Sequence, residues 1–109
     1  MTNYLLIESR DAFEARDNGG FCCDLAARLS HGGNRVTVFA VQNGVLSLRA
    51  GAHFPALAAM IRAGVNVRAD AFSLRERGIS VDTLADGVVP CELNSVIDCM
   101  VDGWRVVWH

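Results

Sequence analysis

Lysine is absent from this chain; all ten of its basic residues are arginine. That counts against a receiver-like phosphoacceptor, which needs a lysine near its last strand and an acidic Mg²⁺ cluster from its first. Long apolar runs are missing too. The longest, Tyr4 to Ile7 and Val36 to Val41, are far too short to cross a bilayer, so no membrane role is expected. No charged stretch followed by an apolar one opens the chain, so no export signal is read there. Neither sign of charge gathers into a stripe or tail, and the net charge is only −2, which argues against nucleic acid as a partner. Among the four cysteines there is no CxxC, and no Cys/His pair stands at zinc spacing, so neither a metal nor another cofactor is expected. Adjacent Cys22 and Cys23 would not readily bridge each other. Reduced thiols in the cytoplasm are the better reading.

What is present is an alternation of strands and helices within one domain, 1–109. Tyr4-Leu5-Leu6-Ile7 is continuous and apolar, as in a strand buried on both faces. Asn18-Gly19-Gly20 breaks the chain and opens a helix whose apolar face is Phe21, Leu25 and Leu29, and Gly32-Gly33 ends it. Arg35 to Val41 is a second strand, followed by the turn signal Gln42-Asn43-Gly44 and a less regular stretch to His53. Pro55 suits the first turn of a helix carrying Leu57, Met60 and Ile61. Val65 to Ala71 is a third strand, and Ser73 is placed to cap a short helix through Arg77. A brief strand at Val88-Val89 follows the Asp86-Gly87 turn. Glu92 to Asp102 is the clearest helix, with Leu93, Val96, Ile97, Met100 and Val101 on one face. Trp104 to Trp108 forms a fifth strand.

That order predicts right-handed βαβ crossovers and a five-stranded parallel sheet with helices on both faces, a three-layer α/β/α sandwich. In such sheets ligands bind beyond the carboxyl ends of the strands. The loops Ser9 to Gly20, Gln42 to His53, Asp70 to Arg77 and Pro90 to Glu92 are therefore the ones to watch.

Several side chains there carry chemistry, each with a plainer alternative. Asn18-Gly19-Gly20 offers backbone N–H groups to an anion, or is a simple turn. Cys22 and Cys23 sit where a helix start lowers a thiol pKa, or pack as small soft core residues. Asp70, at a strand end before Ser73, Arg75 and Arg77, is a base, a phosphoacceptor or a substrate clamp, or part of a surface loop of weak ion pairs. Cys91 follows the next strand and should be more accessible than Cys99, which is expected to be buried on the last helix. His31, His53 and His109 have no acid or thiol held near them by local sequence. Trp104 and Trp108 suit a core or a subunit interface.

The chain resembles the DsrE/DsrF family, which includes subunits of the sulfur relay and the small YchN-like proteins. The likeness is carried by Glu8-Ser9-Arg10 with Gly19-Gly20, by Phe39-Ala40-Val41-Gln42-Asn43-Gly44-Val45, by Asp70 to Arg77-Gly78-Ile79, and by Leu84-Ala85-Asp86-Gly87-Val88. It spans the whole chain. It implies the DsrEFH-like form of the three-layer sandwich, and homo-oligomers that are trimers or hexamers. It also implies partners among sulfur-carrier and other DsrE/F-like proteins. In sulfur-relay members a cysteine at the end of the third strand carries a persulfide, eight residues before the glycine of the Arg-Gly-Ile triplet. Here that position is Asp70, and a second family cysteine position falls on Ser73.

Two functions are then expected. In the first, the protein handles sulfur through another thiol, and Cys91 is the candidate catalytic residue. In the second, Asn43, Gly44, Asp70, Ser73 and Arg75 bind a small ligand or a partner's tail, in a non-catalytic accessory subunit. Phe54, Leu46, Leu48, Trp104 and Trp108 are more apolar side chains than a lone small sheet needs, which predicts self-association.

Overall fold

A computed structural model describes residues 1–13 and 20–109. Five strands alternate with four helices, in the order β1 (Asn3–Glu8), α1 (Gly20–His31), β2 (Arg35–Ala40), α2 (Pro55–Arg62), β3 (Asn66–Asp70), α3 (Ala71–Glu76), β4 (Val88–Cys91), α4 (Asn94–Val101) and β5 (Arg105–Trp108). The strands form one parallel sheet in the order β4-β3-β2-β1-β5.

This strand order distributes the helices. From β1 to β4 the chain steps in one direction across the sheet, so right-handed crossovers put α1, α2 and α3 on one face. The step from β4 back past β1 to β5 reverses direction and puts α4 on the other. The packing agrees. Cys22, Cys23 and Ala26 of α1, Leu57 and Met60 of α2, and Leu74 of α3 share a core with Leu6, Val36, Val38 and Val67. On the opposite face Val96 of α4 joins Leu5, Ile7 and Phe39, with Cys91, Cys99 and Trp104 packed around them. The sheet thus carries helices on both faces, as expected, but three on one and one on the other.

That asymmetry corrects several local readings. The stripe on the last helix is not a core face: of its five apolar residues only Val96 is buried, while Leu93 is 57% and Val101 79% exposed. A helix alone on its side of a sheet presses only one line of residues against it. The fifth strand is an exposed edge; Trp104 packs while Trp108 is 67% exposed. Leu48 belongs to the core, and Leu46 and Phe54 are half-buried, whereas exposed apolar side chains stand at α4, as Leu93, Ile97, Met100 and Val101, and on β5, as Val106, Val107 and Trp108. Cys99 is half-buried rather than buried. Ser73 is not the cap of the third helix. Asp70 is, its carboxylate accepting from the Ser73 backbone N–H. The side chain of Phe21 and most of the Asn18-Gly19-Gly20 segment lie outside the described residues.

Gly44 shows how tightly the first two strands end. Gln42–Leu48 forms a 3₁₀ segment rather than a simple turn, and its Gly44 lies against the last residue of β1. A Cβ on Gly44 would lie 2.3 Å from the Glu8 carbonyl oxygen, so no other residue fits without moving backbone.

Candidate functional site

The carboxyl ends of the strands form a rim, and the rim divides between β3 and β4. After β3 the chain leaves toward the three-helix face; after β4 it leaves toward α4. Neighbouring strands whose connections part to opposite faces create the crevice where open α/β sheets bind ligands. Two residues stand there side by side, since Asp70 and Cys91 are register partners at the ends of β3 and β4.

Asp70 is 6% exposed. Its Oδ2 accepts from the Ser73 N–H at 3.0 Å and from the Ser73 hydroxyl at 2.6 Å. The Ser73 Oγ in turn accepts from the Gln42 N–H at 2.8 Å. This chain of bonds ties the end of β2 to the start of α3 and holds Gln42 in the left-handed region, at φ 53°. Asp70 Oδ1 is buried and has no hydrogen-bond partner among the described residues. The carboxylate thus caps α3 with one oxygen and keeps the other buried.

The remaining rim residues brace the same corner. Arg77 reaches across with Nε and Nη2, 3.1 and 3.0 Å from Asn43 Oδ1, and its Nη1 donates to the Ser73 carbonyl at 3.3 Å. Arg75 meets Glu92 at 3.4 Å with both side chains more than half exposed, so the pair contributes little stability, although it links α3 to the loop after Cys91. The structure therefore brings Asn43, Asp70 and Ser73 into one corner, sets Gly44 beneath it, and leaves Arg75 outside as a bridge to Glu92.

Cys91 is half-buried, and no described side chain hydrogen-bonds its sulfur. It is the thiol at this crevice. Cys99 lies further along the same face, where burial first, and then Asp102 and Asp98, raise its pKa above the ordinary thiol value. It is accordingly a protonated, poorly nucleophilic sulfur at neutral pH. Cys22 and Cys23 are both buried, and both line a small, mostly apolar cavity of about 30 Å³ with Gly44, Phe54 and Met60. A space of that size holds one or two waters.

A residue pair that sequence reading missed lies at the end of β1. Glu8 Oε2 pairs with Nδ1 of His109, and its Oε1 accepts from the Arg10 N–H at 2.9 Å. The pairing of β5 beside β1 sets this up, with His109 N–H donating to the Ile7 carbonyl at 2.8 Å. No local signal announces a contact between residues 101 apart. His31 and His53 are exposed.

Comparison with known proteins gives a consistent picture. A model of the DsrE/DsrF-like family matches residues 4–108. The fold is similar to that of MTH1491, a protein of unknown function from Methanobacterium thermoautotrophicum, at a TM-score of 0.88, 18% identity and full coverage of both chains. It is similar to the YchN protein from E. coli at 0.84, with 16% identity and full coverage of both. BT1422 from Bacteroides thetaiotaomicron, also of unknown function, follows at 0.78 and 10% identity, with 98% of this chain and 94% of that one covered. At these identities the structures bear on the fold alone. No curated protein matches the chain.

Proposed function

Because the chain belongs to the DsrE/DsrF-like family, we propose that it works in intracellular sulfur metabolism with Cys91, in place of a thiol at the end of β3, as the residue that accepts sulfur. One observation carries this reading: Cys91 is the register partner of Asp70. A thiol on the neighbouring strand stands one strand spacing, about 5 Å, from the position where the family resemblance expects the sulfur carrier. Asp70 itself cannot form a persulfide. Its carboxylate instead caps α3 and bonds to Ser73.

In the proposed step the Cys91 thiolate attacks the outer sulfur of a donor persulfide, R–S–SH. A new S–S bond forms at Cys91 as the donor's S–S bond breaks. The donor leaves as its thiolate, and Cys91 carries –S–SH. Nothing is oxidised overall, and no cofactor is required. Incubation with a persulfide donor should add one sulfur to the protein by mass spectrometry. Cys91→Ser should abolish the addition and Cys99→Ser should keep it. No mass shift on Cys91 sinks the reading.

A second reading is a non-catalytic accessory subunit, in which Asn43, Gly44, Asp70 and Ser73, with Arg75 at the edge, receive a small ligand or a partner's tail. The buried, unpartnered Asp70 Oδ1 favours it, because an acceptor left without a donor invites one from a ligand. Asp70→Ala would then weaken copurification with a sulfur-carrier or DsrE/F-like partner; unchanged assembly rejects it.

We also propose that the chain forms trimers or larger homo-oligomers. The exposed outer side of α4, with Leu93, Ile97, Met100 and Val101, supports this, since contiguous apolar patches mark interaction sites. Among the described residues no helix is long and apolar enough to cross a membrane. Cys91 and Cys99 lie outside any disulfide, which suits a cytoplasmic setting.

A further inference from the structure

We propose that the open groove on the α4 face of the sheet is a binding site for a small organic oxyanion, a carboxylate or phosphate ester carried on an apolar body. Geometry makes the groove unavoidable. Five strands span about 19 Å, whereas one helix covers about 10 Å. Beside α4 this leaves a space of about 310 Å³ over β2 and β3.

Its floor was written for polar company. On this face the alternation presents Arg35 and Thr37 from β2, and Asn66 and Arg68 from β3. Thr37 and Asn66 are register partners, so a hydroxyl and an amide meet in the middle. Arg35 lies two residues before Thr37, and Arg68 two after Asn66, so a guanidinium-bearing side chain flanks each end. Parallel sheets usually bury both faces in apolar contact, and the other face of these same strands does so with Val36, Val38 and Val67. Toward α4 the groove turns apolar, with Leu5, Phe39 and Trp104. An apolar wall with a few convergent polar groups is the ordinary make-up of a small-molecule site.

Charge identifies the occupant. Among the described residues no aspartate or glutamate lines the groove. Neither Arg35 nor Arg68 has an ion-pair or side-chain hydrogen-bond partner among the described residues. A chain of net charge −2 thus concentrates two unpaired cations in one concavity. Guanidinium groups match carboxylate and phosphate oxygens in geometry as well as charge. A second copy of the chain is a poorer fit, because, among the described residues, none of the exposed large apolar side chains lines the groove. Cys91 is among the lining residues, but the case for an oxyanion rests on the two arginines and not on sulfur chemistry.

Phenyl phosphate is a suitable probe, and Trp104 a built-in reporter once Trp108→Phe removes the other indole. The titration should saturate. Inorganic phosphate should bind more weakly and phenol not at all, while benzoate compares carboxylate with phosphate recognition. Arg35→Gln and Arg68→Gln should each weaken phenyl phosphate by about tenfold, the scale of one charge-assisted contact. Arg68→Lys should lose less, which separates loss of charge from misfolding. Equal affinity in the Arg35→Gln/Arg68→Gln double variant overturns the proposal. So does a failure to bind accompanied by a change in oligomeric state in that variant, which would mean that a second copy occupies the groove.

Discussion

The two faces of the sheet are built to different standards. Among the described residues, one carries three helices and a continuous core of sixteen buried residues; the other carries one helix and a core of four. Leu5 and Leu6 are neighbours in sequence and almost equally buried, yet they serve these two different cores. The crowded face makes the protein stable. The sparse face leaves room for a groove, two half-buried thiols and a helix whose outer side is open to other molecules. Stability rests on one side of the layer, and the proposed binding on the other.

The sharpest way to break this contrast is to cut into both faces. Leu6→Ala should cost about 2–5 kcal/mol in urea unfolding, as buried leucines do. Ile97→Ala, on the outside of α4, should cost less than about 0.5 kcal/mol if that surface stays in water. A cost of comparable size at Ile97, falling on dilution, would mean that a partner copy buries it. Light scattering of the same variant then gives the assembly directly.

Gly44→Ala probes the rim where the faces meet. The added methyl would strike backbone, so a loss of roughly 1–3 kcal/mol or more is expected from the unfolding midpoint. Asp70→Ala should cost about 0.5–2 kcal/mol through loss of the cap. Asp70→Asn should recover part of it, because an amide oxygen also accepts from the Ser73 N–H. If Asp70→Ala proves neutral, the capping account of this residue fails.

The smallest effect concerns Cys99. Its thiol pKa is raised, so the folded protein holds this proton to a higher pH than the unfolded chain does. Stability should therefore fall slightly as pH rises through the thiol range and should not change below it. Iodoacetamide labelling of a Cys91→Ser variant should need a higher pH than a model thiol. Asp102→Asn should lower that pH, since Asp102 is the larger of the two charge contributions after burial.

Much of this architecture was legible in advance, for local reasons. The apolar run Tyr4 to Ile7, the glycines after α1 and the proline at the start of α2 each report on a few neighbouring residues, and each marks its element correctly. The candidate site was legible only in part. Asp70 and Cys91 were each found at a strand end, but nothing local says that they are register partners. Ser73 looked like a cap because serine often is one. The preceding aspartate takes that role because β3 ends at Asp70, one residue short of the expected Ala71, and α3 begins at once. The pairing of Glu8 with His109, and the meeting of Thr37 with Asn66 between two arginines, have no local signature at all.

By itself, then, the amino-acid sequence determined the elements, their alternation and hence the parallel sheet, because hydrophobic period and turn chemistry act over a few residues. The missing lysine likewise sets limits on the chemistry. Only the tertiary structure decided that β5 docks beside β1. That one long-range choice reverses the last crossover and sends α4 alone to the second face. It leaves the helix's apolar stripe in the open and exposes the groove beside it. A periodic stripe says that a helix has an apolar side, but the strand order decides whether anything stands opposite.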